Sequence, residues 1–463
     1  MASVRALPFV ALVLLAFGCD PLPAESDGAV RDADADAGSP APATLRWLRD
    51  ERGGVVLLRG TNVTGDSKSP PDFLPDDYVI AADFARLRDE LGMNAIRFLI
   101  FWEAVEPEEG LYDDAYLAEV RRRIEEAGAA GLRVIVDMHQ DVYGRGFNSD
   151  GAPRWSCDEA LYDAFEPPAE WYLGYFEPEV QTCFDRLYGD PRIRGAFAAA
   201  WQRVAEALAD VDAVFGYEVL NEPHWGTSSV RTFEQTTLPA FYEECIDAIR
   251  SADPEAYVFI APSSTVNVGL RTRLDPPDRP RLVYAPHIYP GGLEQGSGWS
   301  GTRASLDAWL AELREDAIAM DLPLVVTELG ARASVPGATQ YLADVYDALD
   351  AAAFGAMQWD AGREGYGLWD AELVAGPVAL AIARPHPARV AGLPRAFAWD
   401  AEAGIFTLEW DEDGSALGDT ELTAPTLAFP SGFDVSEPDA RVEGTTLIVP
   451  QRGGPRSITL TRR

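Results

Sequence analysis

Two glutamates are set apart by what precedes them. Glu222 lies in Asn221-Glu222-Pro223 after the largely apolar run AVFGYEVL (213–220), and Glu328 lies in Thr327-Glu328-Leu329-Gly330 at the end of LPLVVTEL (322–329). A carboxyl at the end of such a run is partly desolvated, which suits a proton donor or a nucleophile. Two carboxyls roughly 5 Å apart across a glycosidic bond carry out double displacement with retention of configuration. Other apolar runs also end in polar groups. Arg97 in MNAIRFLI (93–100) can hold a carboxylate ionised through charge-assisted hydrogen bonds. His139 closes LRVIVDMH (132–139), His287 and Tyr289 close RLVYAPHIY (281–289), and Trp359 in AFGAMQWD (353–360) offers a flat face to a sugar ring. Each alone has a plain structural explanation: a buried salt bridge, a satisfied histidine, a core tryptophan. Among 75 acidic residues a lone glutamate says little. The joint placement at matching run ends is what points to catalysis.

Such groups need a scaffold that collects strand ends at one face. GVVLLRGTNV (54–63) and AYVFIAP (256–262) complete a set of eight strand-like runs. Between them lie amphipathic helical stretches such as DYVIAADFARLRDELG (77–92), DAYLAEVRRRIEEAGAAG (114–131) and GAFAAAWQRVAEALAD (195–210). Eight buried strands alternating with helices predict an α/β fold, a (β/α)8 barrel over 44–385 with its chemistry at the C-terminal ends of the strands. A doubly wound open sheet would offer a glycine-rich phosphate turn after an early strand, and none is found. Strands three and four start 81 positions apart because of an insertion, 142–192, that carries Trp155, Trp171, Tyr172, Tyr175 and Phe176. By topology it sits on the active-site face and predicts a lid or an apolar platform. Beyond ARPHPARVAGLP (383–394) the pattern changes to short alternating stretches, GIFTLEW (404–410), TELTAPTLAF (420–429), TTLIVP (445–450) and RSITLTR (456–462), predicting a small antiparallel β-sandwich over 386–463.

The charge balance, 38 basic against 75 acidic side chains for a net −37, repels phosphate backbones and argues against nucleic-acid binding. Arginine supplies every basic side chain except Lys68. At the N-terminus, Arg5 and an apolar run from Ala6 to Gly18 read as an export signal over 1–18, too short to be a permanent membrane span. Ala16-Phe17-Gly18 before Cys19 fits ordinary signal cleavage and also a bacterial lipobox. The Asp-, Ala- and Pro-rich stretch 19–43 reads as a solvated tether, favouring lipidation of Cys19, with membrane association through that lipid. Cys157 and Cys183 are then a plausible pair, and Cys245, in the helical pattern LPAFYEECIDAIR, is most simply a small buried residue. The four histidines, at 139, 224, 287 and 386, and the cysteine spacings give no zinc pattern, so the expected chemistry uses neither metal nor organic cofactor.

The ordered set Arg97, His139, Asn221, Glu222, His287, Tyr289, Glu328 and Trp359 resembles the active-site set of glycoside hydrolase family 5, within the clan of retaining (β/α)8 glycosidases. That resemblance covers roughly residues 50–390. It implies Glu222 as acid/base and Glu328 as nucleophile. A narrower resemblance, to the endoglycoceramidase subgroup, rests on GTNVTGDSKSPP (60–71), DMHQDVYGRGFNSDGAPRW (137–155), NEPHWG (221–226), RPHP (384–387) and the C-terminal β-sandwich. It implies that Asp141 and Lys68 hold hydroxyls of the sugar beside the scissile bond. The aromatic insertion and the loops near Trp225 and Trp299 would host an apolar aglycone. The expected substrate is then a glycolipid or oligosaccharide, and the expected bond is the glycan–ceramide bond of glycosphingolipids. A cellulase-like or steryl-β-glucoside-cleaving hydrolase is the alternative. A non-catalytic glycolipid-binding surface protein would be favoured by loss of a catalytic glutamate, and both are present.

Overall fold

A computed structural model describes residues 44–463. The expected signal (1–18), the tether (19–43) and Cys19 lie outside the described residues. Eight parallel strands form the barrel: Arg59–Val63, Ala95–Phe101, Arg133–His139, Val214–Glu218, Tyr257–Ile260, a sixth in two parts (Leu282–Tyr284 and His287–Ile288), Val325–Leu329 and Gly355–Gln358. The first part of strand six pairs with strand five and the second with strand seven. A Tyr284–Leu324 bridge completes the closure. The interruption falls at Ala285-Pro286, where proline has no N–H to donate to the ladder. Its carbonyl still accepts from Thr327 N at 3.1 Å.

The strands are buried on both faces, which explains their unbroken apolar runs. Ala95, Ile135, Phe259, Val283, Val325 and Met357 form a cluster with Val56 and Leu58. A larger cluster packs helices such as Ala81–Leu91, Asp114–Ala129, Pro191–Leu208 and Leu238–Ala252 against the strands. Cys245 is buried in the last of these and is not disulfide-bonded. Among the described residues no helix is long and apolar enough to cross a membrane.

The C-terminal region stacks two antiparallel sheets. One holds Leu393–Asp400, Ile405–Glu412, Gly454–Arg462 and Phe433–Val435; the other holds Pro387–Val390, Thr420–Thr423, Thr446–Val449 and Arg441–Glu443. Ile405–Glu412 alternates between exposed and buried positions, and Phe406, Leu408 and Trp410 enter the core with Leu422, Leu447 and Ile458. The stretch 420–429 is a strand only to Thr423, since Pro425 opens a turn.

The first strand also differs from the sequence reading. The run 54–63 is not continuous: Val55–Val56 leaves the barrel and pairs antiparallel with Pro387–Val390, and the barrel strand begins at Arg59. Both halves are buried, so the apolar pattern carries no sign of the break. Arg389 reinforces this seam by donating to Asp50 Oδ2 at 2.5 Å and to the carbonyls of Leu417 and Asp419. A Cβ at Gly54 would fall against the Arg389 guanidinium, so a larger residue there would push that head group away from its partners.

Candidate active site

Arg97, fully buried on strand two, organises the floor of the site. It donates to Glu218 Oε2 at 2.9 Å and Oε1 at 3.0 Å, to Asn62 Oδ1 at 2.8 Å, to Asn221 Oδ1 at 2.9 Å and to Glu328 Oε1 at 2.7 Å. Asp137 Oδ1 lies 2.8 Å from the same guanidinium. The other Glu328 oxygen, Oε2, accepts from the Tyr289 hydroxyl at 2.9 Å. Glu328 is 4% exposed, with a cation on one oxygen and a phenol on the other. Both oxygens of this buried carboxyl group thus have a hydrogen-bond donor of their own.

Glu222 approaches from strand four. Its backbone lies at φ +43°, a conformation few side-chain-bearing residues adopt. Gln140 Nε2 secures it by donating to the carbonyls of Asn221 and Glu222 at 2.9 and 3.2 Å. Glu222 Oε1 accepts from Asn267 Nδ2 at 2.6 Å and lies 2.8 Å from His287 Nδ1. Burial pulls the His287 imidazole down, but Glu328, Glu218 and Glu222 outweigh it and push its pKa up to about 10. A carboxylate oxygen of Glu222, one of Glu328 and a His287 nitrogen lie within 4.8 Å of one another. This closeness accords with the roughly 5 Å spacing of a double-displacement pair rather than the wider spacing of an inverting one.

On the opposite wall, His139 Nδ1 lies 2.7 Å from Asp137 Oδ2, and its ring stacks on Trp359 at 5.5 Å. Lys68 pairs with Asp141, lies 3.9 Å from Asp150 Oδ2, and places its Nζ 4.8 Å from the centroid of Trp359. Burial lowers the lysine's proton affinity, but Asp141 and Asp150 reverse this and keep it firmly charged. Lys68 and Asp141, distant in sequence, thus share one subsite. Two groups, His139/Asp141/Asp150 and Glu222/His287/Glu328, have the atoms for a cation, but Lys68 already neutralises the first, and Arg97, Tyr289 and Asn267 occupy oxygens of the second.

These groups open onto a cavity of about 350 Å³. Lys68, His139, Asp141, Asn221, Glu222, Glu328, Tyr289 and Trp359 line it, while Arg97 and His287 act from behind. Its apolar side comes from the insertion, through Trp171, Tyr172, Tyr175 and Phe176, joined by Trp225 and Val268. His224 stacks between Tyr175 at 5.4 Å and Trp225 at 4.0 Å, and burial lowers its pKa to about 3, leaving a neutral ring within the aromatic wall. A Cys157–Cys183 disulfide clamps the insertion. Two expected aromatics point elsewhere. Trp155 packs on Trp102 at 5.2 Å, and Trp299 packs on Tyr341 at 5.2 Å rather than lining the cavity.

Several site residues lie outside the strand-end pattern: Glu218, Asp137, Asn62, Gln140, Asn267 and Glu294. A carboxylate inside an apolar strand, as in GYEVL or IVDMH, was the available signal for the first two. Glu294, on the cavity wall, is pushed up to about 7 by burial and by the negative charge of Glu222, Glu328 and Asp141.

A (β/α)8 barrel whose fourth and seventh strands present two close carboxylates is the architecture of a glycoside hydrolase. Residues 50–365 match the cellulase (glycosyl hydrolase family 5) model, and residues 384–454 match the glycoside hydrolase family 5 C-terminal domain. The chain belongs to glycosyl hydrolase family 5. Endoglycoceramidase I of Rhodococcus hoagii is 27% identical over 446 residues, covering 90% of this chain and 87% of the relative. The structure of endo-glycoceramidase II from Rhodococcus sp. in complex with ganglioside GM3 is 31% identical, covers 91% of this chain and 100% of that one, and superposes with a TM-score of 0.83. An endogalactoceramidase structure, 23% identical with a TM-score of 0.72 over 90% of this chain and 98% of that one, shares the fold.

Proposed function

We propose that this hydrolase cleaves the β-linkage between the glycan and the ceramide of glycosphingolipids. The observation that carries the reading is one cavity that joins a sugar-binding polar pole to the aromatic wall of the insertion. An apolar wall beside a polar pole suits a substrate with an apolar aglycone such as ceramide. The endoglycoceramidase relatives and the ganglioside-bound neighbour support it.

In this reading Glu328 forms a bond to the anomeric carbon while the bond to the leaving oxygen breaks. That oxygen keeps the electron pair and takes a proton from Glu222. Glu222 then removes a proton from water, which displaces Glu328 and releases the glycan. Arg97 and Tyr289 hold Glu328 aimed, and His139, Asn221, Asp141 and Lys68 hold sugar hydroxyls while Trp359 supports the ring. The test is incubation with lactosylceramide or a ganglioside and mass-spectrometric identification of products. Release of an intact oligosaccharide and ceramide is expected. Cleavage of cellooligosaccharides or steryl β-glucosides instead overturns the substrate assignment.

We also propose export and anchoring through a lipid on Cys19. The lipobox-like Ala16-Phe17-Gly18 and the Cys157–Cys183 disulfide, a bond of oxidising compartments, support it. A Cys19→Ala variant should leave the membrane fraction; unchanged partitioning would count against anchoring.

A further inference from the structure

Asn267 sits in the turn Ser264–Val268 that follows strand five, and it connects the two carboxylates. Its Nδ2 donates to Glu222 Oε1 at 2.6 Å. Its main-chain carbonyl accepts from Tyr289 N at 2.8 Å, and the Tyr289 hydroxyl in turn donates to Glu328. The turn is itself pinned. Glu234, fully buried in the π-helical turn Phe233–Thr237, accepts from Ser263 N at 2.9 Å, Thr272 Oγ1 at 2.9 Å and Arg273 N at 2.6 Å. Ser264 N donates to the Pro223 carbonyl at 3.2 Å, so the same turn braces the segment that carries Glu222. π-Helical turns within helices are frequently found at functional sites.

The geometry at Glu222 is asymmetric. His287 Nδ1 lies 2.8 Å from the oxygen that Asn267 already contacts, and with its proton on Nδ1 the imidazole is a donor there. Two donors facing Oε1 leave Oε2 as the oxygen that can carry a proton. Resting on the reading of Glu222 as acid/base, we infer that Asn267 is a positioning residue. Held by Glu234 through the strand-five loop, it selects Oε2 of Glu222 as the proton-bearing oxygen and aims it at the leaving oxygen.

The inference is tested by varying the leaving group on one glycone, with kcat/KM measured for phenyl and 2,4-dinitrophenyl β-lactosides. Dinitrophenolate departs without a proton, whereas phenolate needs one. Asn267→Ala and the near-isosteric Asn267→Leu should lose about tenfold to a hundredfold on the phenyl glycoside and under about threefold on the dinitrophenyl glycoside. Equal losses on both would show a merely structural role and overturn the inference, as would full activity on the phenyl glycoside. Glu222→Ala, measured alongside, separates the two layers. If it too loses equally on both substrates, the acid/base reading fails on its own account.

Discussion

The Lys68 ammonium lies 4.8 Å from the centroid of the Trp359 ring while paired with Asp141. A compact cation on a flexible stem is thereby held over the indole ring. Arginine's planar fork needs more room and a different set of acceptors. Lys68→Arg should therefore lower kcat/KM on a glycoside by about tenfold or more while leaving the thermal midpoint within a few degrees. Steady-state kinetics with a melting curve check this, and unaltered kinetics would return Lys68 to being an ordinary loop residue.

Glu328→Gln keeps the size of the side chain but removes the carboxyl group proposed as nucleophile. Turnover should fall by about 10⁴-fold or more, with near-ultraviolet circular dichroism unchanged. Wild-type-like activity in that variant would sink the nucleophile assignment.

His139 supplies a pH dependence. Burial and Lys68 pull its pKa down, but Asp137 and Asp141 outweigh them and raise it to about 9. The unfolded value is about 6.5. A raised folded value binds the proton more tightly in the native state, so this stabilisation is complete below the unfolded pKa and disappears as pH rises through the folded one. The melting temperature should accordingly decline between about pH 6.5 and pH 9, and His139→Gln should flatten that decline. A His139→Gln curve parallel to wild type contradicts the assignment.

The Cys157–Cys183 bridge closes a separation of 26 residues across the insertion. Cys157→Ser should cost about 2–4 kcal/mol in chemical denaturation. Because the insertion supplies the aromatic wall, hydrolysis of a glycolipid should suffer more than that of a small aryl glycoside. Equal losses on the two would mean that the bridge steadies the whole barrel.

The site was legible because several barrel strands are apolar runs that carry, or stop at, a polar or aromatic group. Arg97, His139, Glu222, His287, Tyr289, Glu328 and Trp359 converge on the places that order implies. Strand boundaries were looser by a few residues, as for 213–220 against the observed Val214–Glu218. Asn267 and Glu234 escaped notice for a physical reason. Asn267 lies in a loop turn, where no periodicity marks a position, Glu234 lies in a helical stretch where a charged residue is ordinary, and the importance of both comes from partners far away in sequence. Glu218 was hidden differently: its place inside an apolar run is the one sequence signal it carries, and its role comes from the buried arginine opposite it. The break between Val56 and Arg59 left no trace, since burial on both sides erases the alternation that would have revealed it.

The pairing of Val55–Val56 with Pro387–Val390 has a consequence for dissecting or recombining this enzyme. The segment that completes the C-terminal sheet is encoded ahead of the first barrel strand. A chain cut at residue 385 would leave Val55–Val56 without its neighbour and strand the Asp50 carboxylate, whose guanidinium partner Arg389 would be gone. A chimera that exchanges the β-sandwich between relatives must carry residues 50–56 along with 386–463, because the exchangeable unit is contiguous in space and split in the gene.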